Sequence, residues 1–148
     1  MLTRSAIDLP AVLRRSLEAY RQGDAVAIAE SFEQQAKLKM VVDSKLANRL
    51  GLHVPHQPVL ANGAIGIMQL YALEFATFDV TDLDVVSSMQ VGREVAAVCE
   101  WSVKLRGSGK EFTGRCHNIW TLDQSGRKLV DARSVCKIIT PGWDHGIH

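Results

Sequence analysis

What this sequence lacks removes several functions at once. It has no surplus charge: 17 Lys and Arg against 16 Asp and Glu leave a formal net charge of +1. A nucleic-acid partner normally demands a basic stripe, so none is expected, and nothing funnels an acidic substrate either. Long apolar runs are also missing. The start, Met1-Leu2-Thr3-Arg4-Ser5, holds no stretch suited to a signal peptide, and no window is apolar enough to span a bilayer. A cytoplasmic protein without a membrane partner is therefore expected. Cysteine is scarce, and Cys99, Cys116 and Cys136 are far apart with no CxxC among them. They read as buried free thiols, and no cation-rich helix start marks a reactive one. With no repeats or low-complexity segments, residues 1–148 read as one domain with its core at about 8–139 and a tail at 140–148.

What is present is concentrated between Val91 and Ile139, where three long strands are joined by Gly107-Ser108-Gly109 and by Asp123-Gln124-Ser125-Gly126. Both connections are rich in residues that tolerate positive φ and reverse the chain. A two-residue turn at Ser108-Gly109 would set Leu105 opposite Phe112, Trp101 opposite Cys116 and Cys99 opposite Asn118. A four-residue loop at Gln124 to Arg127 would set Leu122 opposite Leu129, Trp120 opposite Asp131 and Asn118 opposite Arg133. In that register Asn118, Asp131 and Arg133 lie beside Trp101 and Trp120 on the buried face. Ile119, Val130, Ala132, Cys136 and Ile138 would share the other face with Thr113, His117, Thr121 and Ser134. That second face is too apolar to be freely solvated, so a second chain is expected to cover it. A buried charge needs a partner, and the polar trio reads either as a satisfied structural Asp–Arg pair or as a site.

Upstream, Asp8 is positioned to cap a helix starting near Leu9-Pro10, with Leu9, Leu13, Leu17 and Tyr20 as its stripe and Gly23 as its end. Asp24 starts a second helix whose apolar side is Val26, Ile28, Ala29 and Phe32. Alternation over Ala36 to Asp43 predicts a strand. Residues 44 to 60, broken by Gly51, Pro55 and Pro58, read as a short strand and a loop covering a pocket mouth. Asn62 is placed to cap a third helix with Ile65, Met68, Ala72, Phe75 and Ala76 inward and Gln69 and Glu74 outward, ending near Phe78. Val80 to Val91 is the next strand. The sum is an α+β fold with three N-terminal helices on a curved, mostly antiparallel sheet.

The order of elements, the Arg21-Gln22-Gly23-Asp24 junction and the hairpin Trp120-Thr121-Leu122-Asp123-Gln124-Ser125-Gly126-Arg127-Lys128 together resemble the nuclear transport factor 2-like superfamily, in its SnoaL-like and ketosteroid-isomerase-like branch. The resemblance implies a cone-shaped (cystatin-like) domain with a pocket between helices and sheet, and a homodimer formed through the outer sheet face. It does not bring a complete catalytic set. The positions of the ketosteroid isomerases' proton-shuttling Asp and oxyanion-binding Tyr and Asp match Met40, Ser16 and Asn118 here. Polyketide cyclases and epoxide hydrolases of similar layout place Asp and Arg on the last strands, which makes Asp131 the candidate acid or base and Arg133 its partner.

Other candidates are thinner. His53 and His56, or Asp144, His145 and His148, form no closed four-ligand set, so no metal or other cofactor is expected. Tyr20 reads either as core with a wet tip or as a hydroxyl in the pocket. His117 falls on the outer face, and Ser108 and Ser125 have no His nearby. The candidate catalytic residues are Asn118, Asp131 and Arg133, with Tyr20, Met40, Trp101 and Trp120 lining the pocket. The expected ligand is an apolar or cyclic small molecule, and any chemistry would be cofactor-independent proton transfer in an isomerase, cyclase or hydrolase. The competing reading is a non-catalytic dimerisation or interaction module.

Overall fold

Gly23 gives the chain its first sharp change of direction. Helix α1, Ala11–Gln22, ends there because glycine adopts φ 69°, which lets its own N–H reach the Tyr20 carbonyl at 3.1 Å and the Asp24 N–H reach that of Ala19 at 2.9 Å. Asp24 then caps helix α2, Ala25–Glu30, its carboxylate accepting from the Ala27 N–H at 3.0 Å. The N-terminus of α1 differs from expectation. Pro10 stands at the boundary with no side-chain cap, and the Asp8 carboxylate lies 3.9 Å from Arg14 instead.

The computed structural model describes residues 8–43 and 57–139. Among these, the sheet has six strands in the order β2-β1-β6-β5-β4-β3: β1 Phe32–Val42, β2 Val59–Asn62, β3 Phe78–Val91, β4 Glu94–Leu105, β5 Glu111–Leu122 and β6 Leu129–Ile139. Strand β1 runs parallel to β6 and antiparallel to β2, so the sheet is mixed, and β1 begins four residues before the expected start at Ala36. Helix α3, Gly63–Thr77, leads directly into β3 at Phe78. Asn62 precedes it as the last residue of β2, without a side-chain cap.

The apolar stripe of α3 is not the one expected. Ile67 and Phe75 are buried and Leu70 and Tyr71 pack on the core, whereas Ile65 is 71% exposed and Ala72 and Ala76 are exposed. The helix is apolar almost all round, and such a sequence does not specify which face turns inward. The core joins Leu13 and Ile28 of the first two helices and Ile67 of α3 to Leu38, Val95, Leu122, Leu129 and Ala132 of the sheet. A smaller cluster of Val103, Phe112 and Ile138 fills the far end of the same face.

The two hairpins depart from their expected registers by different amounts, with different consequences. In β4–β5 the pairs are Val103 with Phe112, Trp101 with Gly114 and Cys99 with Cys116, a slip of two residues. A slip of two leaves every side chain on its own face. In β5–β6 Leu122 does face Leu129, but Thr121 pairs with Asp131, Trp120 with Ala132 and Asn118 with Ser134, because the register shifts by one between Leu122 and Thr121. One extra residue, Val130, is accommodated as a bulge, and beyond it every side chain of β6 is reversed. Ala132, Ser134, Cys136 and Ile138 thus face inward, and Asp131 and Arg133 face outward. The sequence-based assignment of these six residues is corrected accordingly.

Candidate functional site

Pairing across the sheet arranges the inner face in rows. Leu38, Ala132, Trp120 and Val95 make one row; Met40, Ser134, Asn118 and Ala97 the next; Val42, Cys136, Cys116, Cys99 and Val85 a third; Ile138, Gly114 and Trp101 a fourth. Met40, Trp101, Asn118 and Trp120 therefore share the helix-facing side, half-buried, as expected of them. Asn118 donates through Nδ2 to the Cys116 carbonyl at 3.4 Å.

Asp131 and Arg133 do form an ion pair, Nε to Oδ2 at 3.3 Å, but on the outer face with side chains 35% and 58% exposed. They lie between Thr121 and Ile119 on one side and Lys37 and Lys39 on the other. An exposed pair of this kind contributes little to stability, and it is separated from Trp120 and Asn118 by the thickness of the sheet. His117 lies on the outer face, as expected.

Among the described residues, the carboxyl with an oxygen shut off from water and without a partner is that of Glu74, which the helical stripe had sent outward. It follows Ile67, Leu70 and Tyr71 on the inward side of α3, and its Oε2 is out of contact with water and has no hydrogen-bond partner among the described residues. Burial pushes its pKa up to about 7, because the charged form loses hydration that nothing replaces. Two phenols stand beside it. The Tyr20 ring meets Tyr71 edge-on at 5.9 Å and Phe75 at 5.3 Å, and Tyr71 stacks on Phe75 at 6.1 Å. Burial, and after it the negative charge of Glu74, raises the pKa of both phenols, so they remain neutral hydrogen-bond donors. Tyr20 thus belongs to a carboxyl–phenol cluster as well as to the core.

One signal in the sequence pointed to Glu74. At 3.6 residues per turn, Gln69 and Glu74 stand about 140° apart around α3, so one narrow polar face cannot hold both.

Arg21 anchors this region from below. Its guanidinium donates twice to the Leu83 carbonyl of the edge strand β3, at 3.0 and 2.7 Å. Cys116 and Cys136 form a disulfide between facing positions of β5 and β6, which corrects the expectation of three free thiols; Cys99 remains free and buried. A surface groove of ≈ 660 Å³, which none of these groups lines, is bounded by Arg15, Ala27, Glu30, Ser31, Arg127 and Lys128. The histidines at 53, 56, 145 and 148, and residues 44–56 of the segment 44–60 that was expected to hold a short strand and a loop over a pocket mouth, lie outside the described residues. Among the described residues no cluster of ligating side chains suits a metal ion, and no helix is long and apolar enough to cross a membrane.

Comparison with known proteins gives a fold and no closer relative. No sequence family matches the chain, and no curated protein does. Solved structures match over most of its length. A ketosteroid isomerase-like protein from Catenulispora acidiphila, solved in complex with trimethylamine, superimposes with TM-score 0.66 at 11% identity, covering 86% of this chain and 85% of its own. A ketosteroid isomerase-like protein from Erwinia carotovora atroseptica gives TM-score 0.62 at 12% identity, with 88% and 93% covered. A candidate SnoaL-like polyketide cyclase from Mesorhizobium loti gives 0.57 at 15% identity, with 83% and 94% covered. The fold is thus that of ketosteroid isomerase-like and SnoaL-like proteins, as the resemblance to the nuclear transport factor 2-like superfamily implied.

Proposed function

We propose that the protein is a SnoaL-like small-molecule-binding domain, cone-shaped like others of this fold, that performs cofactor-independent proton transfer with Glu74 as the acid or base. The observation that carries this reading is the Glu74 carboxyl, buried with one oxygen unpartnered among the described residues and a pKa of about 7. A general acid–base group works best when its pKa lies near the working pH. A buried oxygen without a partner also favours a ligand that brings a donor to it. Tyr20 and Tyr71 are neutral donors suited to an oxyanion, as Asn118 would be on the facing sheet wall beside Met40 and Trp120. Apolar walls with a few convergent polar groups suit a cyclic or otherwise apolar carbonyl compound or acid. Isomerisation, cyclisation or hydrolysis of such a compound is the class of reaction proposed. Asp131 and Arg133 have no part in it, since the sheet lies between them and the cluster.

The test is a thermal-shift screen against alicyclic and aromatic carbonyls and acids. A compound at ~100 times its dissociation constant adds about 2.7 kcal/mol of stability, read as a rise of roughly 5–11 °C at this size. That rise is expected in the parent protein and in Arg133→Leu, and is expected to be lost in Glu74→Gln. A compound that shifts Glu74→Gln as strongly as the parent, or whose shift needs Arg133, would remove Glu74 from the site.

The outer sheet face supports a homodimer as partner. Val41 and Val135 are neighbours across β1–β6, and Ile119 pairs with Ala96, which pairs with Met89; all but Ala96 are exposed large hydrophobics, Val135 at 52%. Exposed large hydrophobics gathered on one sheet face are a usual mark of a protein–protein interface. Light scattering at micromolar concentration is expected to give twice the 16.3 kDa of one chain. Ile119→Lys with Val135→Asp should give the single-chain mass with unchanged helix content. A single-chain mass for the parent protein rules the dimer out.

A further inference from the structure

The three cysteines are far apart in the sequence, yet pairing brings them into one line. Cys99 of β4 faces Cys116 of β5, and Cys116 faces Cys136 of β6, all on the inner face and all buried. Cys116, the middle member, is bonded to Cys136 and has the free Cys99 on its other side. Displacement at a disulfide sulfur proceeds with attacking, central and leaving sulfurs nearly collinear, through a mixed disulfide. A row of three strands with the disulfide on one flank and a thiol on the other sets the three cysteines in that order.

The two pairings differ in spacing. Cys116 and Cys136 have Cα atoms 4.2 Å apart, the close spacing of a non-hydrogen-bonded antiparallel pair. A residue's N–H and C=O point to the same neighbour, so Cys116 and Cys99 form the wider pair, at about 5.5 Å. That separation falls within the range disulfides span.

Each sulfur also has a polar neighbour, and those of the attacking and leaving sulfurs can stabilise the charge that passes between them. The Trp101 Nε1–H donates to Cys116 Sγ at 3.0 Å, and the Ser134 hydroxyl lies 3.2 Å from Cys136 Sγ. Asn118 stands one row away on the same face, and it and the positive charge of Arg21 from α1 both favour the thiolate of Cys99.

We propose that Cys99, Cys116 and Cys136 form a thiol–disulfide exchange site, in which Cys99 displaces Cys136 from Cys116 and moves the bond from the β5–β6 pair to the β4–β5 pair. Cys99 gives up its proton to solvent base, and its thiolate forms a bond to Cys116 Sγ. The Cys116–Cys136 bond breaks, its electron pair passes to Cys136 Sγ, and that sulfur takes up a proton beside the Ser134 hydroxyl. No oxidant or reductant is consumed. The wall that carries Asn118 then exists in two covalent forms, with the free thiol either under β3–β4 or beside β1. Burial holds the Cys99 thiol at about 11, with Asn118 and Arg21 opposing, so exchange is slow at neutral pH and speeds up in mild base.

Thiol labelling followed by peptide mapping tests this on the full chain. Cleavage at Arg93, Lys104, Arg115, Arg127, Arg133 and Lys137 places each cysteine in its own peptide. The protein is held at pH 9 without reductant, quenched in acid, unfolded, and labelled with N-ethylmaleimide at pH 6 before digestion. The expected result is label on Cys99 in most chains and on Cys136 in a minor fraction that carries a Cys99–Cys116 bond. That fraction should be independent of protein concentration and grow more slowly at pH 6. Label on Cys136 should vanish in Cys99→Ala and in Cys99→Ser. Label confined to Cys99 after prolonged incubation, label on all three cysteines, or Cys136 labelling that persists without Cys99 would each overturn the proposal.

Discussion

At pH 8, Glu74→Gln is expected to be more stable than the parent protein by up to about 3 kcal/mol, while at pH 4 the two should be nearly equal. The Glu74 carboxyl has an ordinary value of 4.5 and is raised to about 7 by burial in the folded chain. Between those values the folded state holds a proton that the unfolded state has lost. Stability therefore falls as pH rises from about 4.5 to 7, then levels off. A shift of roughly 2.5 units at 1.36 kcal/mol per unit gives about 3 kcal/mol. The amide also leaves a buried polar group poorly partnered, so the gain will be less than the full amount.

Other shifted carboxyls do not obscure the comparison. Asp123 is lowered to about 2, chiefly by the Ser125 hydroxyl, so its effect lies at lower pH and has the opposite sign. Glu33 is raised by its hydrogen bond to Asp123, but it is present in both proteins. Urea midpoints of the two proteins from pH 4 to 8 provide the measurement. Parallel profiles would mean that Glu74 titrates normally, and the proton-transfer reading would lose its carrying observation.

The second large effect is expected at Gly114. A Cβ built there would lie 2.1 Å from Trp101 Cζ2 and 2.5 Å from both Cε2 and Cη2. The indole lies flat across β5 only because residue 114 has no side chain, and in that pose its Nε1 reaches Cys116. Gly114→Ala must push the ring aside, and overpacking of this kind costs about 1–3 kcal/mol. The ring is rigid and the neighbouring positions Val103, Phe112 and Ile138 are buried, so little relaxation is open to it. A red shift of tryptophan emission should accompany the loss. In a Trp101→Ala background the same substitution should be close to neutral, and a full cost there would place the strain elsewhere.

Much of this could be read from the residues in order. Gly23 and Asp24 set the junction of α1 and α2 through local chemistry, one by accepting positive φ and the other by capping, and both behave as expected. The hairpin at Asp123 is equally local: its carboxylate accepts from the Ser125 hydroxyl at 2.8 Å and from the Arg127 N–H at 3.1 Å, and Gly126 takes φ 73°. Alternation in β4 and β5 places Val95, Trp101, Asn118 and Trp120 on the inner face despite a two-residue error in register, because that face pattern repeats every two residues.

The site was less legible than the fold. Asp131 and Arg133 follow Trp120 in sequence logic only if β6 has no bulge. Val130 carries no mark distinguishing it from an ordinary strand valine, so the one-residue shift that sends both charges outward could not be read from it. Glu74 became buried through contacts from elsewhere in the chain, with Tyr20 of α1 packing against Tyr71 and Phe75. The cysteine row depends on two hairpin registers at once.

By itself the sequence determined the order of elements, the places of the turns, the Gly23–Asp24 junction and the fold to which they lead, because each rests on interactions within a few residues or on a face pattern that tolerates slippage. Tertiary structure alone decided which carboxyl is buried, which strand face carries the ion pair and which sulfurs meet. Each of these depends on the register between distant segments, where a single residue reverses the outcome.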